Sequence, residues 1–297
     1  MRHYIVDVKD SHFRQAWEHT EPPLGMLASF YYFKRFDFTL FPEGVDLILD
    51  SGAFSAWSLG GSVSLEDYGK FLTDFPKPYS FAFNLDVIGD ADASLFQWHE
   101  LRSGGVETVP VIHFGSNPAE SIPPYLEAGA GRLAISGGAM REVPIARRLR
   151  WQAYVHRWLK NNAPEIPTHG LGIHMKSQLS RLPWDSIDSS SFSSAWRFGT
   201  LELWDTDRRR WYKVKMDGRE IYRYGALVRS YGIEPSNVSL STAETRPELI
   251  RLATRVQIRA ARDFNAHHGY TRHYMAESNS PDLLTEASVL GENHVWA

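Results

Sequence analysis

DLILDSGAFSAW, residues 46–57, carries a run of aliphatic side chains into a carboxylate, Asp50, and then at once into a small-residue turn, Ser51-Gly52-Ala53. The run lacks polar alternation, which suits a strand buried on both faces, as in a parallel sheet covered by helices. A helical pattern follows it. "SLEDYGKFLTDF" (64–75) opens with a capping serine, Ser64, and carries apolar Leu65, Tyr68, Phe71 and Leu72 at helical spacing.

The same unit, strand then helix, repeats along the chain. Strand candidates are "GMLASFYYF" (25–33), "DLILD" (46–50), "SFAFNLD" (80–86), "TVPVIHF" (108–114), "RLAIS" (132–136), "HGLGI" (169–173) and "DSIDSS" (185–190), with "SNVSLS" (236–241) as an eighth. Helical segments are expected near 91–102, 118–128, 144–162 and 176–182, and over 246–267. This alternation predicts an α/β fold, a (β/α)8 TIM-type barrel, with an open doubly wound sheet as the competitor. Residues 200–216, "TLELWDTDRRRWYKVKM", break the rhythm and read as a basic β-hairpin turning near Asp205-Thr206-Asp207, inserted after the seventh strand. No repeat or low-complexity linker divides the chain, so residues 1–297 are read as one domain with an insertion at about 200–217.

Composition limits the chemistry. The 297 residues are 43% hydrophobic, enough for a large core, and the formal net charge of −3 argues against a uniformly basic nucleic-acid binder while allowing a local basic face. The absence of cysteine excludes disulfides, thiol catalysis, iron–sulfur clusters and cysteine-held zinc. The start "MRHYIVDVKD" lacks the apolar stretch of a signal peptide, and no apolar run reaches the roughly 20 residues of a membrane span, so a cytoplasmic protein without a membrane partner is expected. Neither GxGxxG, GxxxxGK[ST] nor HExxH occurs, and "HHGYTRH" (267–273) lacks a familiar ligand spacing, so no metal site is assigned.

In a parallel barrel the loops after the strands converge on one mouth. The strand ends here carry Asp50, Asp86, His113, Ser136 with Gly137 and Gly138, His174 and Asp188. Each alone has a plainer explanation: aspartate after a strand serves as turn former or helix cap, and histidine is more often a hydrogen-bonded structural residue. Together, separated carboxylates facing one pocket suit chemistry at a glycosidic carbon, one attacking the sugar and another handling the proton. Glycines at the mouth let a flat ring lie against main-chain amides.

These segments resemble, in order, the motifs of the tRNA-guanine transglycosylase superfamily. "LDSGAF" (49–54) resembles "DSGGFQ", and "FNLDV" (83–87) resembles the segment whose aspartate binds the guanine edge. "VIHFGS" (111–116) resembles "VQGG", and "AISGGAM" (134–140) resembles "GGL". "HGLGI" (169–173) resembles "LMGVG", and "SIDSSSFSSAWRFG" (186–199) resembles "DxxxPTRxxRxG". The resemblance implies that Asp188 is the nucleophile at the sugar C1′ and Asp50 the acid/base. It implies base binding by Ser51, Asp86, His113 in place of the family's glutamine, Gly137, Gly138, Ala139 and His174.

The family's tRNA enzymes hold a structural zinc through three cysteines and a histidine, which this chain lacks, and the hairpin occupies that stretch. The departures resemble the phage and bacterial DNA-guanine transglycosylases, which put 7-deazaguanines into DNA as protection from restriction. The expected partners are then DNA, with tRNA as the alternative, and a free base such as 7-cyano-7-deazaguanine; a phage-encoded chain would act in the host cytoplasm. Base-for-base exchange needs no cofactor. Residues 207–229 supply eight Lys/Arg against three Asp/Glu with interleaved aromatics. Arg197, Arg208, Arg209, Arg210, Trp211, Lys213 and Lys215 are therefore the candidate nucleic-acid contacts. Arg251, Arg255, Arg259 and Arg262 form a stripe on the last helix, read first as a solvated face. A zinc-free tRNA or RNA enzyme, a barrel N-glycosidase and a nucleic-acid-binding protein without exchange remain the alternatives.

Overall fold

The computed structural model describes residues 2–6, 25–33, 46–137, 140 and 142–268. Eight parallel strands form one sheet: β1 (Arg2–Val6), β2 (Gly25–Ser29), β3 (Asp46–Asp50), β4 (Phe81–Ala82), β5 (Val111–Ile112), β6 (Leu133–Ile135), β7 (Thr168–Gly170) and β8 (Ser186–Ser189). Their order is β4-β3-β2-β1-β8-β7-β6-β5. The outermost strands, β4 and β5, are also linked just beyond their ends. Phe83 bridges Val109 in parallel, Asn84 N–H donates to Val109 O (2.9 Å), and Val109 N–H donates to Ala82 O (2.7 Å). The chain is thus a mixed α/β protein built on a parallel sheet with helical crossovers.

Period-two geometry sorts the strand side chains between two layers. Leu27, Ile48, Phe83, Val109, Val111 and Ala134 pack into one cluster on one face. Their neighbours point the other way: Met26, Ala28, Leu47, Leu49 and Ala82 meet the helix Leu65–Thr73 through Tyr68 and Leu72. Ile112, Leu133 and Ile135 meet Trp98, Trp151 and Val155 of other helices. The DLILD run is apolar throughout because both of its faces are covered. Ser64 caps the helix Leu65–Thr73, accepting from Asp67 N–H at 3.2 Å, and Tyr68 donates its hydroxyl to Phe83 O at 2.7 Å.

Several expectations are corrected. The segment 25–33 is strand only to Ser29; Phe30–Phe33 is one helical turn. The segment 236–241 is not the eighth strand. Pro235 sets a 3-10 turn over Pro235–Val238, and only Leu240 bridges Asp217. The missing strand is the N-terminal β1, seated between β2 and β8. The hairpin of β9 (Thr200–Asp205) and β10 (Arg210–Lys215) therefore follows the eighth strand in chain order, not the seventh. The helix expected near 118–128 is broken into Pro118–Ser121 and Pro123–Glu127, with a proline opening each piece.

The arginines of the last helix, Arg246–His268, are not a free basic stripe. Arg255 Nη1 donates to Tyr231 O (2.7 Å), and Arg259 donates to Ser230 Oγ (2.9 Å) and O (2.7 Å) while lying over the Tyr231 ring. They satisfy carbonyls left open where the helix Gly225–Ser230 ends, fastening one helix to the other.

Gly52 opens the turn after β3 at φ 75°, a conformation that favours glycine, and a Cβ there would collide with Tyr31 Cβ and Ser29 Oγ. Gly52→Ala combines left-handed strain with overpacking and is expected to destabilise the fold by about 2–5 kcal/mol. A shift in the urea midpoint measures it; an unchanged midpoint would show that the turn has room to relax.

Candidate active site

The loops that follow the strands enclose a cavity of about 910 Å³. Its wall includes Asp50 at the end of β3 and Ser51 just beyond it, Asp86 after β4, His113 after β5, Ser136 and Gly137 after β6, Gly172 and His174 after β7, and Asp188 on β8. The residues read from the strand ends therefore share one opening, except Gly138 and Ala139, which lie outside the described residues.

Asp188 is the most constrained of the acids. It is 7% exposed, and its Oδ1 accepts from Gly172 N–H at 2.9 Å and lies 3.1 Å from His169 Nε2. Among the described residues nothing hydrogen-bonds its Oδ2. His169 is fully buried, with Nδ1 2.8 Å from Ser186 Oγ, and burial holds its pKa below the ordinary value, with Asp188 pulling the other way.

Asp50 is partly covered, with its carboxyl turned inward. Burial is the main cause that raises its pKa to about 6; Gly52 N–H, donating to Oδ2 at 2.8 Å, opposes this, and the Asp188 charge reinforces it. Asp86 is pushed well above the usual carboxylate range, first by burial and then by the Asp50 charge, against a hydrogen bond from Asn84 Nδ2 at 3.3 Å. Its neutral, proton-donating form is favoured. A fourth acid of the wall, Glu202, is paired with Lys176 at 3.0 Å, while Asp50, Asp86 and Asp188 repel one another as anions, so their environments divide the roles between them.

The other candidates fall into two groups. His113 Nε2 meets Ser94 Oγ at 3.3 Å, and burial lowers its pKa, so it presents a neutral imidazole. Gly137 has φ 97° and its carbonyl accepts from Arg148 Nη1 at 3.3 Å. Ser51, by contrast, uses its hydroxyl on Asn84 O (3.3 Å), which ties the β3 and β4 ends together. His174 faces the hairpin: its Nδ1 accepts from Lys176 N–H (3.3 Å), its Nε2 is 3.5 Å from Glu202 Oε2, and its ring lies 5.2 Å from that of Trp211. Burial lowers its pKa too.

Of the basic candidates, Lys213 lines the cavity. Arg208 is engaged by Asp205 at 3.1 Å, Arg210 lies over Tyr212, and Arg197 lies over Phe198; all three arginines and Arg209 stay exposed, as does Lys215. Trp211 is half-buried between His174 and Trp204 and serves the packing of the hairpin.

Two residues of the wall and its support escaped the sequence reading. His169 was passed over inside "HGLGI", although an imidazole in a strand buried on both faces needs a partner, and that demand was the available signal. Phe54, in the helix Ala53–Ser58 that follows Gly52, is 51% exposed and lines the cavity.

Among the described residues no group of three or more histidine or acidic side chains is placed to hold a metal ion. The side chains of His267 and His268, and all of His273, lie outside the described residues. No described helix is long and apolar enough to cross a membrane.

No family model matches this chain, and neither does any curated protein. Among solved structures, the carboxyl transferase domain of Rhizobium etli pyruvate carboxylase with pyruvate aligns with 98% of this chain at 13% identity and a TM-score of 0.40. The chain spans about half of that structure, 54% of its length. A likeness so weak bears on neither the fold nor the chemistry of this chain.

Proposed function

We propose that this chain is a DNA-guanine transglycosylase, of the kind the sequence motifs resemble, working at the mouth of a closed (β/α)8 barrel. The observation that carries the reading is the convergence of Asp50, Asp86 and Asp188 on one cavity, with one Asp188 oxygen held and the other open. Barrel closure is supported by the Phe83–Val109 bridge between the outermost strands. It is supported again by Phe81 of β4, whose ring lies 5.7 Å from that of His169 on β7. In an open sheet of this order those strands stand five spacings apart, about 24 Å.

In the first half-reaction Asp188 Oδ2 attacks C1′ of the target nucleotide, the bond to guanine N9 breaks, and guanine takes the bonding pair together with a proton. Asp50, with a pKa near 6, is suited to deliver that proton and to remove one from N9 of the incoming 7-deazaguanine. In the second half-reaction that nitrogen attacks C1′ and the ester oxygen departs, restoring the Asp188 carboxylate. One glycosidic bond replaces another, so no external energy source is called for.

Asp86, whose protonated form burial favours, and the His113 imidazole offer polar contacts to the base edge, and the exposed Phe54 offers a ring to stack on. A target guanine must leave its stack to reach the cavity, and cations beside the mouth hold the strand meanwhile. Lys213, which lines the cavity, is suited to that role, and the exposed Arg197, Arg209 and Arg210 are the further candidates.

The test is to incubate the chain with labelled guanine or 7-cyano-7-deazaguanine and duplex DNA, single-stranded DNA or tRNA. Label is expected in DNA, with guanine released in equal amount. Label in tRNA alone would move the substrate to RNA, and guanine release without uptake would make the protein a hydrolase. No exchange and no release would overturn the reading.

A further inference from the structure

We infer that His169 is a positioning residue for Asp188: the chain Ser186–His169–Asp188 locks Oδ1 so that Oδ2 alone is presented to the cavity. The inference rests on the proposed role of Asp188 as nucleophile, but the geometry beneath it stands on its own. His169 is on β7 and Asp188 on β8, neighbouring strands whose register brings the imidazole alongside the carboxylate. The distances are 3.1 Å from Nε2 to Oδ1 and 2.8 Å from Nδ1 to Ser186 Oγ. A ring with Nε2 protonated donates to Oδ1 and accepts the Ser186 hydroxyl on Nδ1, so both nitrogens are satisfied without a charge.

The surroundings favour that neutral form. Around the ring are Phe83, with centroids 4.9 Å apart, Phe81 at 5.7 Å, Ser186, and the charged groups Asp188 and Arg132. Burial disfavours the imidazolium most, and the Arg132 charge adds to this, while Asp188 opposes both. The ring is fully buried against these two aromatic side chains.

The arrangement serves both halves of the exchange. Before attack, two donors on Oδ1, His169 Nε2–H and Gly172 N–H, fix the rotation of the carboxylate and aim the lone pairs of Oδ2 at the cavity. In the covalent ester Oδ1 is the carbonyl oxygen, and charge returns to it as the bond from Oδ2 to C1′ breaks. Donors already in place stabilise that charge as it develops. A histidine acting this way lowers the barrier without touching the substrate.

The experiment compares wild type with His169→Ala and His169→Gln in labelled-base exchange, alongside thermal midpoints and the 15N shifts of the His169 ring. The glutamine amide can donate to Oδ1 from nearly the same place. His169→Ala is expected to lower kcat by ~10² with KM for DNA and for the free base unchanged, and His169→Gln to recover at least about tenfold of that loss. In wild type the ring should be neutral and protonated on Nε2 at pH 7. Wild-type kcat in folded His169→Ala, or a KM loss as large as the kcat loss, would overturn the role. So would a ring protonated on Nδ1 or charged. If wild type exchanges nothing while the ring carries its proton on Nε2, the proposed function fails and the clamp geometry survives.

Discussion

Asp188→Asn is expected to reduce base exchange by a factor of ~10⁴ or more while DNA binding changes by no more than a few fold. The amide is nearly isosteric, and its oxygen still accepts from Gly172 N–H and His169, so the β7–β8 contact persists. What disappears is the anionic Oδ2, the atom proposed to bond with C1′, and no other acid in the cavity is held in the same way. Exchange is read with labelled base and binding by fluorescence anisotropy on a short duplex. Turnover near the wild-type level would remove Asp188 from the mechanism.

Asp50→Asn is expected to slow exchange by ~10² to 10⁴, the usual cost of losing acid/base help, and at the same time to stabilise the fold at neutral pH. The sign follows from the folded pKa of about 6 against an ordinary 3.8. The folded state holds this proton more tightly than the unfolded chain, so ionising Asp50 costs stability. The penalty is absent below pH 3.8, grows as the pH rises, and is complete above about 6. At pH 7.5 the variant should gain on the order of 2 kcal/mol, less to the extent that water in the cavity solvates the carboxylate. Urea melts at pH 7.5 and pH 3 measure the difference, nearly all of which should be lost at the lower pH. The wild-type rate should also inflect near pH 6 and the inflection should be lost in the variant. A variant that is less stable at neutral pH would mean that the carboxylate supports the fold rather than straining it.

The two substitutions separate what a sequence reading can and cannot reach. DLILD was legible as a doubly buried strand because its own side chains lack alternation, and Ser64 as a cap because the helical pattern begins right after it. The hairpin was legible because two alternating segments flank a polar turn. Arg2–Val6 was not, since a short N-terminal run carries no local mark of the neighbours it will pair with. SNVSLS misled because alternation is shared by strands and by short turns that bury one residue; Val238 is buried there, yet Pro235 turns the chain. Arg255 and Arg259 form a basic stripe on paper, but the carbonyls of Ser230 and Tyr231 lie within their reach.

The sequence by itself determined the alternation of strand and helix, the cysteine-free chemistry and the acids at the strand ends. Those depend on side-chain periodicity and backbone hydrogen bonding over about ten residues. Only the tertiary structure decided that Asp50, Asp86 and Asp188 face one cavity, that Asp50 titrates near 6, that Trp211 packs inward, and that His169 is the partner of Asp188. The reason is physical: strand register and order, rather than distance along the chain, set which side chains meet, and a carboxyl's proton affinity depends on everything that displaces water around it.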